Sequence, residues 1–386
     1  MIPYVETASK GADYTIQPLH DAVLCVVRES INREYELRLR YPVTSNFSAL
    51  IKLGNIIFAR VAKDAEDATD FRTQPFRIYR IGKPINKVVD VYAEHISYDL
   101  ATFPANIVGR YEYPADVITA LKNTSPSKEF LSLWSLSVDE ANNTKFATPL
   151  VIEKPTTVRD ILLGPENSIV KNGAFEIEFG YNTISVVLSR GRGLSNQPIQ
   201  YGVNMTDFHQ DETFEGCLYS DLFPYAVIEN DAGDEIVTLA PNSPIVSDGG
   251  VMPVTNSVFE RRVKVVDLTQ LLKDNELDIT PYNLKLAADK YVEANSQLFT
   301  MFAKNIVVSF VDLKSTQEYS SYNQLDDIGI GDEIVVSHDA YGVREKVRCV
   351  ATTFDVLSER YLSIEVGYKS KQITDTIADL VIKAEG

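Results

Sequence analysis

The chain has 386 residues, of which 45% are hydrophobic and 24% charged, and its formal charge is −17 from 37 basic and 54 acidic residues. That size and balance fit a globular protein of about two or three domains, each able to bury its own core. They argue against a membrane span, since no apolar run approaches ~20 residues, and against ordinary nucleic-acid binding, since the basic residues are too scattered to neutralise phosphates.

Residues 1–103 read as a first β domain. Glu34-Tyr35-Glu36-Leu37-Arg38-Leu39-Arg40-Tyr41 alternates at the two-residue period of a half-buried strand. Residues 53–60, 76–80 and 88–95 then form an antiparallel meander, entered through a turn at Gly54. The first residues lack the basic start and apolar stretch of a signal peptide, so folding in a cytoplasm is expected.

Residues 104–172 read as a lateral α+β insertion. Pro114 opens a helix over 114–121, because proline suits the first turn. A second short helix covers 156–163. Gly164-Pro165 ends it, with glycine at a left-handed cap and proline unable to continue. Trp134, the single tryptophan, reads as a core residue between them.

Residues 173–232 are expected to begin a second β domain. Strands over 174–179 and 183–188 flank the hairpin turn Gly180-Tyr181-Asn182. Residues 233–305 read as a second lateral insertion. Asp267-Leu268-Thr269-Gln270 resembles a capping box there, and Thr280-Pro281 opens a longer helix. Leu284, Ala287, Ala288, Tyr291 and Leu298 share one face of it, interrupted by Asn295, so partial burial is expected. Residues 306–372 complete the second β domain. A strand over 306–313 leads to a second meander over 330–336, 346–352 and 361–366, entered through Gly331. Residues 373–386 close the chain as a short amphipathic helix. The expected fold class is mainly β with α+β insertions and two similar β units. No low-complexity linker separates the parts, which implies one rigid body.

Candidate chemistry is sparse. Cys25, Cys217 and Cys349 are far apart and odd in number, which argues against a disulfide framework and against zinc; Cys349 reads as a small buried hydrophobe. The four histidines, His20, His95, His209 and His338, include no pair at the spacing of a helical zinc site, and His95 and His338 read as structural. No serine sits in a Gly-x-Ser-x-Gly elbow. Gly191-Arg192-Gly193 and Gly329-Ile330-Gly331 match only the first half of a dinucleotide loop and read as hairpin or bulge glycines. Asp211-Glu212, Asp234-Glu235 and Asp326-Asp327 read as solvated loop acids rather than glycosidase pairs. Residues 230–235 have a calcium-loop composition without the ligand spacing, which leaves weak divalent-cation binding as a minority reading.

Specific residues do carry a likeness. Phe76-x-Ile78 with Val91-x-Ala93-Glu94-His95-Ile96-Ser97-Tyr98-Asp99-Leu100 resembles the N-terminal signature of phage tail-associated proteins, the phage minor structural or prophage endopeptidase tail family. Residues 173–188, Arg190-Gly191-Arg192-Gly193 and Tyr201-Gly202-Val203-Asn204 resemble that family's central segment. Residues 306–313, Gly329-Ile330-Gly331-Asp332-Glu333-Ile334-Val335-Val336 and 361–367 resemble its C-terminal barrel. The resemblance implies a homotrimeric hub at the tail tip or baseplate of a virion, similar to the baseplate hub of contractile-tailed phages. Two barrel-like tube domains per chain would build a pseudo-sixfold ring. Its partners would be a distal tail protein, a tape-measure protein and receptor-binding proteins, with DNA passing through the lumen unbound. An acidic lumen wall would keep that DNA mobile. The family's appended lytic domain is not expected, because the chain stops at Gly386, so the expectation is a non-enzyme with no catalytic, cofactor or metal residues. Two competitors stand beside it. One is a cell-wall peptidase or glycosidase. The other is a host-receptor or saccharide-binding module, which exposed aromatic clusters among the 20 tyrosines would favour.

Overall fold

The computed structural model describes residues 2–7, 15–62, 73–146, 149–165, 167–173, 175–195, 197–213, 218–229, 236–239, 250–255, 261–274, 277–300, 303–310 and 328–367. The helix expected over 373–386, the acidic segment 230–235, Asp326-Asp327 and Cys217 lie outside the described residues.

The N-terminal part supplies β1 (Tyr4–Glu6), β2 (Ile16–Pro18), β3 (Leu24–Ser30), β4 (Tyr35–Pro42), β5 (Ile56–Arg60), β6 (Thr73–Ile81) and β7 (Val88–His95). On β4 the two-residue period is regular: Tyr35, Leu37, Leu39 and Tyr41 are buried, while Glu36, Arg38 and Arg40 point the other way. The same alternation on β7 turns Val89, Val91, Ala93 and His95 inward. These side chains form one core with Cys25, Val27, Phe76 and Ile78.

The first insertion contains β8 (Pro104–Ala105), β9 (Gly109–Tyr111), α1 (Pro114–Asn123), α2 (Ser127–Phe130), β10 (Ser135–Val138), β11 (Leu150–Ile152), β12 (Thr156–Thr157), α3 (Val158–Leu163) and α4 (Ile169–Asn172). The helix expected from 156 starts at Val158, because Thr157 acts as its cap: its Oγ1 accepts from Asp160 N at 3.1 Å. Gly164 does not adopt the left-handed conformation; its φ is −56°. Glycine is needed there because a Cβ would collide with the Asp160 carbonyl that the Gly164 N–H bonds. Trp134 is half-buried and packs at the margin of the insertion's core. β13 (Glu176–Gly180) and β14 (Thr183–Val187) form the expected hairpin around Asn182, at φ 54°. β14 also pairs in parallel with β10, and Ile177, Ile184 and Val186 pack into the insertion's core with Val117, Leu121 and Leu162.

Next come β15 (Ile199–Gln200) and β16 (Met205–Thr213), then the second insertion: β17 (Asp221–Glu229), β18 (Ile236–Leu239), β19 (Met252–Pro253), β20 (Val263–Asp267), α5 (Thr269–Asp274), α6 (Pro281–Ala294) and α7 (Ser296–Thr300). Thr280 caps α6 through Asn283 N, and Leu284, Ala287, Ala288 and Tyr291 are buried against Leu222, Leu268 and Leu272. Asn295 interrupts the apolar face for a mechanical reason. Its Nδ2 donates to the Tyr291 carbonyl at 2.8 Å and ends the helix, so the break is a buried cap rather than a wet stripe. No described helix is long and apolar enough to cross a membrane.

β21 (Ala303–Phe310), β22 (Glu333–His338), β23 (Val343–Asp355) and β24 (Arg360–Gly367) complete the chain. The fold is mainly β and is organised by one 13-stranded sheet in the order β16-β21-β24-β23-β3-β4-β7-β6-β5-β1-β2, with β22 beside β23 and β15 beside β22. All its pairs are antiparallel except β15 with β22. β23 joins the halves. Its Val347 and Cys349 enter the core made with β22 and β24, while Phe354 enters the core of β3 and β4. A register shift between Cys349 and Ala351 makes this possible, because an extra residue on one strand changes which face the following side chains occupy.

Candidate functional site: the polar junction

The two meanders begin with the same local construction. Gly54 has φ +86° and Gly331 has φ +89°, a region glycine reaches without a Cβ penalty. Gly54 N donates to Ile78 O at 2.9 Å, and Ile78 N donates back to Asn55 O at 2.9 Å. In the second meander Gly331 N donates to Cys349 O and Cys349 N to Asp332 O, both at 2.8 Å. The residue before each acceptor is an arginine aimed at the glycine carbonyl. Arg77 Nη1 reaches Gly54 O at 3.0 Å, and Arg348 Nε reaches Gly331 O at 2.9 Å. The carboxylate partners differ. Arg77 pairs with Asp99 just beyond β7, whereas Arg348 crosses to Glu176 on β13.

Around Arg348 three parts of the chain meet. Its Nη1 and Nη2 donate to Glu176 Oε1 and Oε2 at 2.6 and 2.8 Å, and Nη2 also reaches Arg190 O at 2.7 Å. Glu176 Oε2 accepts from Arg190 N at 2.7 Å as well. Arg190 Nη2 pairs with Glu29 of β3 at 2.7 Å and lies 4.0 Å from Glu178. Arg192 donates from its backbone N and its Nη2 to the two oxygens of Asp332, at 2.7 and 2.6 Å. Glu176 and Asp332 are only 1% and 2% exposed. Desolvating such carboxylates is costly, and bidentate pairing with several hydrogen bonds is what offsets it. Four acids face three arginines, leaving one net negative charge.

Gly331 stands in the turn before β22, and across from it Gly191 lies backbone against backbone: a Cβ on Gly191 would strike the Gly331 main chain, and one on Gly331 would strike Arg190. Sequence reading missed this contact because nothing local links segments so far apart. The repeated Gly-x-Gly was the only trace.

A cavity of about 470 Å³ opens at this junction, bordered by Gln74, Glu178, Arg190, Arg192, Ile330 and Tyr361. The volume suits a small ligand, but most of the charged groups around it hold one another. Ser189 Oγ donates to Arg190 O rather than to a base. Burial, reinforced by the Glu29 charge, pushes the Tyr35 phenol well above its ordinary pKa, so it stays protonated. Among the described residues no group of three or more His, Cys, Asp or Glu is placed to hold a metal ion. The arrangement is suited to holding segments together.

The histidines are separate from one another. His95 is fully buried, with Nδ1 accepting from Ser97 N at 3.2 Å and Nε2 facing Gln74 Oε1 at 3.2 Å. Accepting at one nitrogen and donating at the other defines a neutral ring. Burial, helped by the Arg159 charge, lowers its pKa to about 3. His338 lies at the end of β22 against Tyr201, Phe208 and Tyr341. His20 and His209 are exposed. Cys25 and Cys349 are free and buried, and burial raises both thiol pKa values.

No protein-family model matches the sequence, and no curated protein matches it. Solved structures do. The prophage tail protein gp18 from Listeria monocytogenes EGD-e aligns over 100% of both chains with a TM-score of 0.55 at 13% identity. The tail protein from Neisseria meningitidis MC58 aligns over 97% of this chain and 99% of its own, with a TM-score of 0.56 at 11% identity. The 43 kDa tail protein of prophage MuSo2 from Shewanella oneidensis aligns over 97% of this chain and 100% of its own, with a TM-score of 0.55 at 12% identity. The chain has the fold of prophage tail proteins along its whole length.

Proposed function

We propose that the protein is a structural component of a phage or prophage tail, acting as a homotrimeric hub at the tail tip or baseplate. The observation that carries this reading is the end-to-end fold likeness to three tail proteins, two of them from prophages. The repeated clasp of Gly54 with Arg77 and of Gly331 with Arg348 supports the geometry. Two β units with the same local construction, taken three times, supply six similar segments for a ring that continues a hexameric tube. In this reading each unit is a tube domain, residues 104–172 and 233–305 project laterally, and the ring meets a distal tail protein, a tape-measure protein and receptor-binding proteins.

The role is non-enzymatic: the junction carboxylates are engaged by arginines, and the ring closes or continues the tube until DNA passes. The solvent side of the central strands pairs its charges, Arg28 with Glu365 and both Arg38 and Arg40 with Asp90. A wall of that kind holds passing phosphate weakly. Light scattering after gel filtration, with electron microscopy of the same sample, tests the assembly. The expected result is three copies of the 43.1 kDa chain in a ring. A stable monomer at high concentration overturns the hub, and a lytic zone on host cell walls from this chain alone overturns the non-enzymatic reading.

A further inference from the structure

Arg190 lines two spaces that differ in charge. Around the 470 Å³ cavity, Glu29, Glu178 and Asp332 outnumber Arg190 and Arg192. The second space is a small pocket of about 10 Å³, where Glu29 alone faces Arg33, Arg159 and Arg190. It lies where the turn after β3, Ser97 beyond β7, α3 and β13 meet.

Two donors on this wall are left over. Ser97 is 1% exposed and the Arg190 side chain 9%, yet neither Ser97 Oγ nor Arg190 Nε has a hydrogen-bond partner among the described residues. Arg190 gives its Nη2 to Glu29 instead. Arg159, half-buried beside them, has a cation's needs without a carboxylate. Its Nη1 donates to Ser97 O at 3.2 Å, and its guanidinium lies 4.0 Å from the centre of the Tyr98 ring. No described acid forms an ion pair with it; Glu94 and Asp160 act on its charge without bonding it. Burial lowers the Arg159 pKa from its ordinary value, as desolvation does to a cation.

Buried charges are ordinarily paired, and a buried donor without an acceptor is costly. Arg190 Nε and the Arg159 guanidinium can only donate, and the Ser97 hydroxyl can turn its proton inward. A water would accept from them but must also place two protons of its own, and Glu29 is held by Arg190. An occupant that only accepts, and carries negative charge, answers the whole wall. The space is on the scale of ~10–15 Å³ that one water-sized body needs, which excludes sulfate, phosphate and carboxylates.

We propose that the pocket between Ser97, Arg159 and Arg190 binds one halide ion, chloride in ordinary buffers, which ties α3 and the segment after β7 to β13. Every lining residue belongs to one chain, so the site does not depend on the trimeric ring.

Two measurements on the full chain test this. In crystals grown in sodium bromide, an anomalous peak is expected in the pocket, within hydrogen-bonding distance of Ser97 Oγ and Arg190 Nε. In solution, the melting temperature is followed against chloride at constant ionic strength, with gluconate, too large to enter, as the balancing anion. The parent is expected to melt higher as chloride replaces gluconate, because a ligand bound only by the folded chain stabilises it. Ser97→Ala removes a hydroxyl that has no partner in the fold, so it should melt with the parent in gluconate. In chloride it should need roughly tenfold more anion for the same rise. A water without anomalous signal in the bromide crystals overturns the proposal. So does a parent indifferent to chloride, or a Ser97→Ala variant that responds to chloride as the parent does.

Discussion

Arg348 is to Gly331 what Arg77 is to Gly54: each guanidinium donates to the carbonyl of a left-handed glycine that opens a meander, at 2.9 and 3.0 Å. The equivalence ends at the carboxylates. Arg77 and Asp99 keep 34% and 26% of their side-chain surface in solvent, whereas Arg348 and Glu176 keep 12% and 1%.

Breaking the buried pair is therefore the costlier change. Glu176→Gln or Arg348→Met leaves an uncompensated charge or donor at the junction and should cost ~3–5 kcal/mol. Arg77→Met should cost nearer ~1 kcal/mol, as for partly exposed pairs. The double variant Glu176→Leu/Arg348→Met should recover part of the loss, because no lone charge remains. Urea unfolding of the four variants measures all of these.

Gly191→Ala and Gly331→Ala should each destabilise by ~2–4 kcal/mol, combining a positive φ with a collision against facing backbone. Gly342→Ala has the same sign of φ with open space around the added methyl, so it should cost only ~1 kcal/mol. Thermal melts of the three variants separate packing from conformation.

Asn32 ties the turn after β3 to the first insertion: Nδ2 donates to Phe175 O at 3.1 Å and Oδ1 accepts from Ile177 N at 2.8 Å. It also sits at φ 57°. Asn32→Ala should cost ~2–3 kcal/mol, while Asn32→Gly keeps the turn and loses only the bonds, about half as much. Hydrogen exchange should show faster opening of the Ile177 amide in both variants.

The pKa of His95 is depressed to about 3 in the fold, against an ordinary value near 6.5. The unfolded chain takes up a proton that the folded chain refuses. Its contribution is complete above pH ~6.5 and is lost as pH falls towards ~3, with a slope of at most ~1.4 kcal/mol per pH unit. His95→Gln should remove that part of the acid slope in urea unfolding measured between pH 7 and pH 4.

Cys25 and Cys349 are buried thiols with raised pKa values, which suppresses the reactive thiolate. Iodoacetamide should leave both peptides unmodified in the native protein and label both in urea, as read by mass spectrometry. Labelling of either in the native state contradicts this packing.

Much of the secondary structure was legible in sequence because it is written in local periods. Strands such as Tyr35–Pro42 and Val88–His95 alternate cleanly, and Thr280-Pro281 announces the helix that follows. The repeat of the meander was visible for the same reason. The sequence could not show that β23 changes face at a register shift, that residues 176–187 join the insertion's core, or that Gly191 rests on Gly331. The packing of Tyr201 and Tyr341 against His338 was equally hidden. By itself, then, the chain determined which segments are strands and helices and that two of its units are alike, because propensity and period act within a few residues. Only the tertiary structure decided which charges meet and which rings stay open to solvent. Those depend on packing between segments far apart in the chain, where one arginine serves two carboxylates and no local pattern records the choice.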